Sequence, residues 1–402
     1  MRMQSASAVT PQSTVSKAVI PVPFLDELSA CIFQELAQNQ PMRLGYLLII
    51  GIVAASVLTA VLLGESAALL FGWQGVGDKW LFWFMPLIGW YALVTFQMMR
   101  RGIKSPLRGI RYLTAKHWRW LLRGFALSLL LVPAGRSAMR IKESIPSFVD
   151  FYADSYFVSA DRFIFGTDPW RITHAVLGPQ ATFIIDRIYL LWFVVLLGLM
   201  VWLAFERDKA FQVKAILTFV LSWTLLGNVA AISMASVGPV FYENQYGDPY
   251  FRDLMEILRS QPDLKALQIA DYLWTSDGLG SGISAMPSLH VAIAHLALLC
   301  VLERIRNRVV IWLAVAFEVV IFVGSVHLAW HYAVDGLFSI VAVSLIWIAF
   351  GSFVRWLERR APSHSRNSTK PFFPVPATAD QFKVMPSLSK LSRVAFRASQ
   401  ST

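Results

Sequence analysis

Residues 325–335 read SVHLAWHYAVD and place His331 four residues before Asp335. On a helix that spacing sets both side chains on one face, within hydrogen-bond reach. An aspartate that accepts from one imidazole nitrogen orients the ring and leaves the other nitrogen to react. A second histidine, His290, follows Pro287 and Ser288 in the run MPSLH at 286–290, where an apolar segment begins. Proline suits the first helical position. A helix N-terminus offers free N–H groups and a positive dipole end, a natural place for phosphate. A histidine nucleophile held by Asp335, a second histidine as acid, and a helix N-terminus with Ser288 for the oxyanion together point to phosphoryl transfer. No cysteine or paired carboxylate completes a metal cage, and HYAVD is not a zinc spacing, so neither metal nor cofactor is expected. His295 and His327 are expected to be hydrogen-bonded packing residues.

The two motifs must meet in space. His290 and His331 are 41 residues apart. A helix of about 20 residues rises about 30 Å. From His290 the chain crosses a bilayer once, turns at ERIRNR (303–308), crosses back, and returns to the same depth near His331. Asp335 then opens the next helix beside them.

Composition supports that membrane setting. The 402 residues are 56% hydrophobic and only 15% charged, against about a quarter charged in ordinary soluble domains. The runs Leu44–Gly64 and Trp80–Met99 have no charged residue and the length of a span. The expected fold is an all-α polytopic membrane protein with about eight spans, at 44–64, 80–99, 120–139, 188–205, 215–235, 288–304, 309–327 and 334–354. The net charge of +11 is not a nucleic-acid signature, because it is clustered. Arg100–Arg119 holds seven Lys/Arg and no acid, and Arg355–Thr402 holds nine against two acids. Basic clusters beside spans mark the cytoplasmic side. With eight spans, 100–119, 206–214, 303–308 and the tail all fall on that side. Both termini are then cytoplasmic, the cell (inner) membrane is the expected location, and the two histidines face the opposite, extracytoplasmic side.

Two long segments share that outer side, 140–186 and 236–286. The second carries seven acids against three bases. Both are too polar to span and rich in aromatics, as interfacial segments are. The first 20 residues and the tail after Arg360 have disordered compositions. Phe24–Gln38 reads as a cytoplasmic amphipathic surface helix. The first apolar run begins only at Leu44, so no cleavable signal peptide is expected. Cys31 and Cys300 support neither a disulfide nor a metal site.

At the two motifs the chain resembles the type 2 phosphatidic acid phosphatase superfamily of membrane enzymes. That family carries Pro-Ser-Gly-His and, further on, His-x-x-x-Asp; here they read Pro287-Ser288-Leu289-His290 and His331-Tyr332-Ala333-Val334-Asp335. The leucine and the HYxxD form look more like the inositol phosphorylceramide synthase and sphingomyelin synthase branch, an inositolphosphotransferase-like group. The segments SVGPVFY (236–242) and DRFIFGTDPW (161–170) look like bacterial members of it. The resemblance covers roughly 140–356. It implies a six-helix core over 120–356, preceded by two extra spans and a basic loop (44–119) and a non-spanning N-terminus (1–43), and followed by the tail (357–402). It further implies that His331 attacks phosphorus, Asp335 orients it, His290 protonates the leaving group, and Ser288 holds phosphate oxygens.

The resemblance is incomplete where phosphate needs a cation. The family's first motif carries a lysine and an arginine; the nearest counterpart here, Gly238-Pro239, has neither, and Ser325 stands at the arginine position of the third motif. Candidates on the outer side are Arg136, Arg140, Lys142, Arg187 and Arg252, with Arg136 first because it closes an uncharged run. The expected function is an enzyme that hydrolyses or transfers a phosphate ester of a lipid phosphate or phospholipid in the bilayer. The competing expectation is a non-catalytic lipid-binding or transport protein with the same fold. A channel is disfavoured by the lack of charge along the span centres.

Overall fold

A computed structural model describes residues 40–66, 80–100, 102, 106–261, 263–275 and 283–360. The expected surface helix at 24–38, the first 20 residues and the tail beyond Arg360 lie outside them. Among the described residues the chain is helical and has no strand. The long helices are α1 (Gln40–Leu62), α2 (Trp80–Arg100) and α3 (Pro106–Glu143). Short helices α4 (Asp154–Phe165) and α5 (Pro169–Val176) follow, then the long α6 (Pro179–Phe205) and α7 (Lys209–Leu221). Three more short helices, α8 (Tyr242–Tyr246), α9 (Arg252–Arg259) and α10 (Lys265–Thr275), precede α11 (Leu289–Arg304), α12 (Arg308–His327) and α13 (Ala333–Arg359).

Among the described residues six stretches are long and apolar enough to cross a membrane: Pro41–Leu62, His117–Ser147, Pro179–Phe205, Lys209–Ser233, Arg308–His327 and Ala333–Arg359. The other two expected spans are also helices, α2 and α11. Helix α11 has 16 residues and so rises about 24 Å, short of a bilayer core. It is the central helix, with Leu289, Val291–Leu296 and Cys300 all buried by its neighbours. The span expected from 188 begins earlier, at Pro179, because Asp186 is not a lipid-facing charge. It accepts the backbone N–H groups of Lys265 (3.0 Å) and Ala266 (2.7 Å), the open N-terminus of α10.

Helix α7 is the most enclosed of the six stretches, at 67% buried against 28–39% for the rest. Beyond Leu221 it widens into π-helical turns over Ser222–Ala230. Gly227 lies there against Leu289; a Cβ would come 3.0 Å from the leucine Cδ1. The basic turns gather at one end of the bundle, as their charge pattern requires. Arg304 bridges Glu206 and Asp208, each at 3.1 Å, and Lys214 pairs with Glu303. Trp120 Nε1 donates to the Phe205 carbonyl (2.9 Å), tying α3 at the same end to the last residue of α6. The short helices α4, α5, α8, α9 and α10 cover the opposite end.

Candidate active site

Three turns of chain interlock at that covered end: 236–242, 284–288 and 325–332. Ser236 accepts Ala285 N–H on its carbonyl (2.9 Å) and Met286 N–H on Oγ (3.1 Å). The Val240 N–H reaches the Ala329 carbonyl at 2.8 Å, and the Ser325 carbonyl accepts from both Trp330 and His331 N–H at 3.0 Å. Gly238 sits at φ +83, where a Cβ would lie 2.7 Å from the Trp330 carbonyl oxygen. Glycine is required there for both the dihedral and the clearance. Ala329, two residues before His331, holds a φ of 65 without being glycine, a strained position kept by these bonds.

The interlock brings the two motifs together. The ring centroids of His290 and His331 are 6.2 Å apart. The His331 Nδ1–H donates to the Ala285 carbonyl at 2.7 Å and lies 3.4 Å from Asp335 Oδ2. The closest acceptor is therefore a backbone oxygen, with Asp335 behind it. Asp335 is wholly buried; Oδ2 also accepts Tyr332 N–H (3.0 Å), and Oδ1 has no partner. With Nδ1 so engaged, the lone pair of His331 is on Nε2. Burial, and then the charge of Lys142, push its imidazole down to about 3, so it stands neutral near pH 7.

His290 is held by rings. It stacks on Tyr189 (centroids 4.7 Å, 22°), packs against Trp192 at 4.3 Å, and meets the edge of Phe193 at 6.3 Å. Trp192 Nε1 also donates to the His290 carbonyl at 2.9 Å. Among the described residues no hydrogen bond reaches either ring nitrogen.

Both rings line one cavity of about 820 Å³. Its walls include residues 132–143 of α3 and 186–200 of α6, two helices that also touch away from the site at Trp120 and Phe205. Exposed Met139 and Phe193 stand on its open side; buried Met200, Phe219 and Trp223 close it. That volume suits a ligand of lipid-fragment size, and its lining is chiefly apolar.

The candidate phosphate ligands divide. Arg136 lines the cavity, and so does Lys142. The charge of Lys142 reaches both histidines, and no carboxylate lies within ion-pair distance of it among the described residues. Arg140 and Arg252 do not line it. Arg140 turns to Glu65 (3.2 Å) and Glu143 (3.7 Å), and Arg252 pairs with Glu243 (2.6 Å) on the surface. Arg187 bridges Asp186 at 3.5 Å. Ser288 is fully buried and stands before α11 as its N-cap, with Oγ accepting Val291 N–H at 3.4 Å. It backs the site instead of lining it, because capping turns the hydroxyl along the helix axis. The first-turn N–H groups of Leu289 and His290, both at the cavity, have no intrahelical acceptor.

His295 and His327 are hydrogen-bonded packing residues, as expected. His295 joins Glu318 (2.7 Å) and Ser344 (2.8 Å), linking three helices. His327 lies between Thr173 (3.0 Å) and Thr182 (2.8 Å) under the stacked ring of His174. Sequence reasoning missed the aromatic clamp on His290 and the Ala285 carbonyl. The first had a trace in the aromatic spacing of 189, 192 and 193; the second had none.

The fold defines the class: a polytopic helical membrane protein. Residues 157–351 match the family model of the PAP2 superfamily. The match lies inside the 140–356 expected and includes both histidine motifs. Members are generally phosphatases or phosphotransferases, so the match supports a membrane enzyme acting on lipid phosphates. No curated protein and no solved structure matches the chain.

Proposed function

We propose that this protein cleaves a lipid phosphate ester through a phosphohistidine at His331, on the extracytoplasmic face. The observation that carries the reading is the pair of rings, 6.2 Å apart on one cavity, with ring nitrogens left open. His331 Nε2 attacks phosphorus as the bond to the leaving oxygen breaks, and His290 gives that oxygen its proton. Water or an alcohol then loses its proton to His290 and attacks, and the N–P bond breaks. Water as acceptor makes a phosphatase; an alcohol makes a head-group transferase. The Pro-Ser-Leu-His and HYxxD forms favour transfer. Lys142, Arg136 and the N–H groups of Leu289 and His290 would hold the phosphate oxygens. The apolar floor of the cavity would receive the lipid's hydrocarbon. The catalytic core is taken as 120–356.

The test uses purified protein in lipid nanodiscs with a panel of phosphorus-labelled lipids, with and without candidate alcohols. An acid-labile labelled protein and a labelled product are expected. Labelled free phosphate alone would remove the transferase form. Lipid binding without any turnover would favour the non-catalytic alternative. Lys142→Met should raise KM or lower kcat/KM by about 100-fold, the scale of losing one preorganised oxyanion partner. An unchanged value would return the role to Arg136 alone.

A further inference from the structure

Asp154 has no part in the cavity, yet both halves of the hydrogen bond that orients His331 trace back to it. We propose that Asp154 is the positioning residue for His331; this rests on the function proposed above. The side chain is wholly buried at the start of α4 and accepts four hydrogen bonds. Oδ1 takes Gly238 N–H (2.8 Å) and the Tyr332 hydroxyl (2.8 Å). Oδ2 takes Val237 N–H (2.9 Å) and the Tyr246 hydroxyl (2.9 Å). Among the described residues no cation pairs with it. A buried carboxylate without a counter-ion persists only when its acceptor sites are filled, and here four donors fill them.

Three of those donors lead to the nucleophile, by two separate routes. Tyr332 is the residue after His331, and its own N–H is tied to Asp335. Val237 and Gly238 follow Ser236, which holds Ala285 and Met286; the Ala285 carbonyl is the acceptor of His331 Nδ1–H. Asp154 thus fixes the loop that carries the ring and the loop that carries the acceptor. The bond between them sets the tautomer and leaves the lone pair on Nε2. The carboxylate does not cap its own helix; Ala153 is the N-cap of α4 and has no side-chain cap bond. Tyr246 is an internal control, since its bond to Oδ2 leads to neither loop of His331.

Asp154→Asn replaces one acceptor oxygen with a donor that opposes Val237 or Gly238 N–H. The expected result is a fall in kcat of about 100-fold, the scale of a misplaced reacting group. KM should stay within about twofold, because Asp154 does not touch the cavity. Tyr332→Phe should lower kcat by about 10-fold and Tyr246→Phe should leave it unchanged. Melting temperatures are measured beside each rate. If Tyr332→Phe and Tyr246→Phe lower kcat alike, in step with melting temperature, the role is structural and the proposal is overturned. It also fails if folded Asp154→Asn keeps its kcat, or if only KM moves. If Asp154→Asn does not fold, Tyr332→Phe against Tyr246→Phe decides. Nitrogen-15 NMR of histidine-labelled protein adds a readout that needs no turnover. The His331 signal should show the Nδ1–H tautomer in wild type and a mixture in Tyr332→Phe; a single tautomer in both overturns the proposal even if the lipid reading has failed.

Discussion

The molecule holds two histidine pairs at the same end of the bundle, and they are built oppositely. In one, His174 and His327 stack at 3.8 Å and 15°, and both His327 nitrogens and His174 Nε2 have partners. In the other, His290 and His331 stand 6.2 Å apart with open nitrogens aimed at a cavity. The buried His295, joined to Glu318 and Ser344, sides with the closed pair. A buried polar group is normally satisfied. The open nitrogens of His290 and His331 belong to residues on a cavity, where a ligand can supply the missing partners. What separates the two pairs here is that His290 and His331 line a cavity with nitrogens left open, whereas His174 stacks on a His327 whose two nitrogens are both bonded.

Removing the open pair should have the largest effect. His331→Gln keeps a polar side chain but has no nucleophilic nitrogen. Turnover of a lipid phosphate should fall about 10⁴-fold or more, and the acid-labile phosphoprotein should vanish. Full turnover in this variant would end the mechanism. His290→Asn comes next, with an expected loss of about 10³-fold, the middle of the range for a missing general acid. The loss should shrink with an ester whose leaving group needs no proton, such as a nitrophenyl ester. An equal loss on both esters would mean that His290 serves the aromatic clamp and not the proton.

The comparison also shows what the sequence made legible. The spacing of 290, 331 and 335 and the short basic turn between them were enough to bring the motifs to one depth, because a span has nearly fixed length. The acceptor for His331 was not legible. Every residue has a carbonyl, and only the Ser236–Ala285 interlock selects that of Ala285. The cations were half legible, because a sequence tells depth better than direction around a helix. On α3 the stripe of Val132, Arg136, Met139 and Glu143 faces the cavity with Lys142 at one edge. Arg140 falls at the other edge, beside Glu65 and the Leu63 carbonyl. Asp154 and Asp161 were invisible for a related reason. Near a membrane boundary an aspartate reads as exposed. Here Asp161 takes the N–H groups of Ala333 (2.9 Å) and Val334 (2.8 Å) at the open end of α13, with burial pushing its carboxyl up to about 6.

Breaking a closed site should be felt in stability before rate. Glu318→Ala leaves His295 Nδ1 without its partner in the interior, at a cost of about 2 kcal/mol. The melting temperature in detergent should fall while kcat per folded molecule stays near wild type. A kcat loss at unchanged stability would mean that the buried His295–Glu318 pair takes part in the reaction, and the open and closed classes would merge.

The smallest effect is the sharpest test of the division. Burial holds the His174 imidazole below its ordinary value, against the opposing pull of its bond to the His327 carbonyl. The native state therefore binds fewer protons there than the unfolded chain. Its contribution to stability is present above the unfolded value near 6.5 and is lost as the pH falls below it. Because His174 is only half-buried, the loss should be modest, and it should concern the docking of α5 on α12. Limited proteolysis within 169–176 should quicken in wild type as the pH drops from 7 toward 5. His174→Phe keeps a ring over His327 and removes one of the two stacked imidazoles that can take a proton, so its cleavage rate should rise less over that range than in wild type, with turnover at pH 7 unaltered. Undiminished acid sensitivity in His174→Phe would locate the titrating group elsewhere. Protons on the closed pair should thus register in stability, while protons on the open pair register in rate.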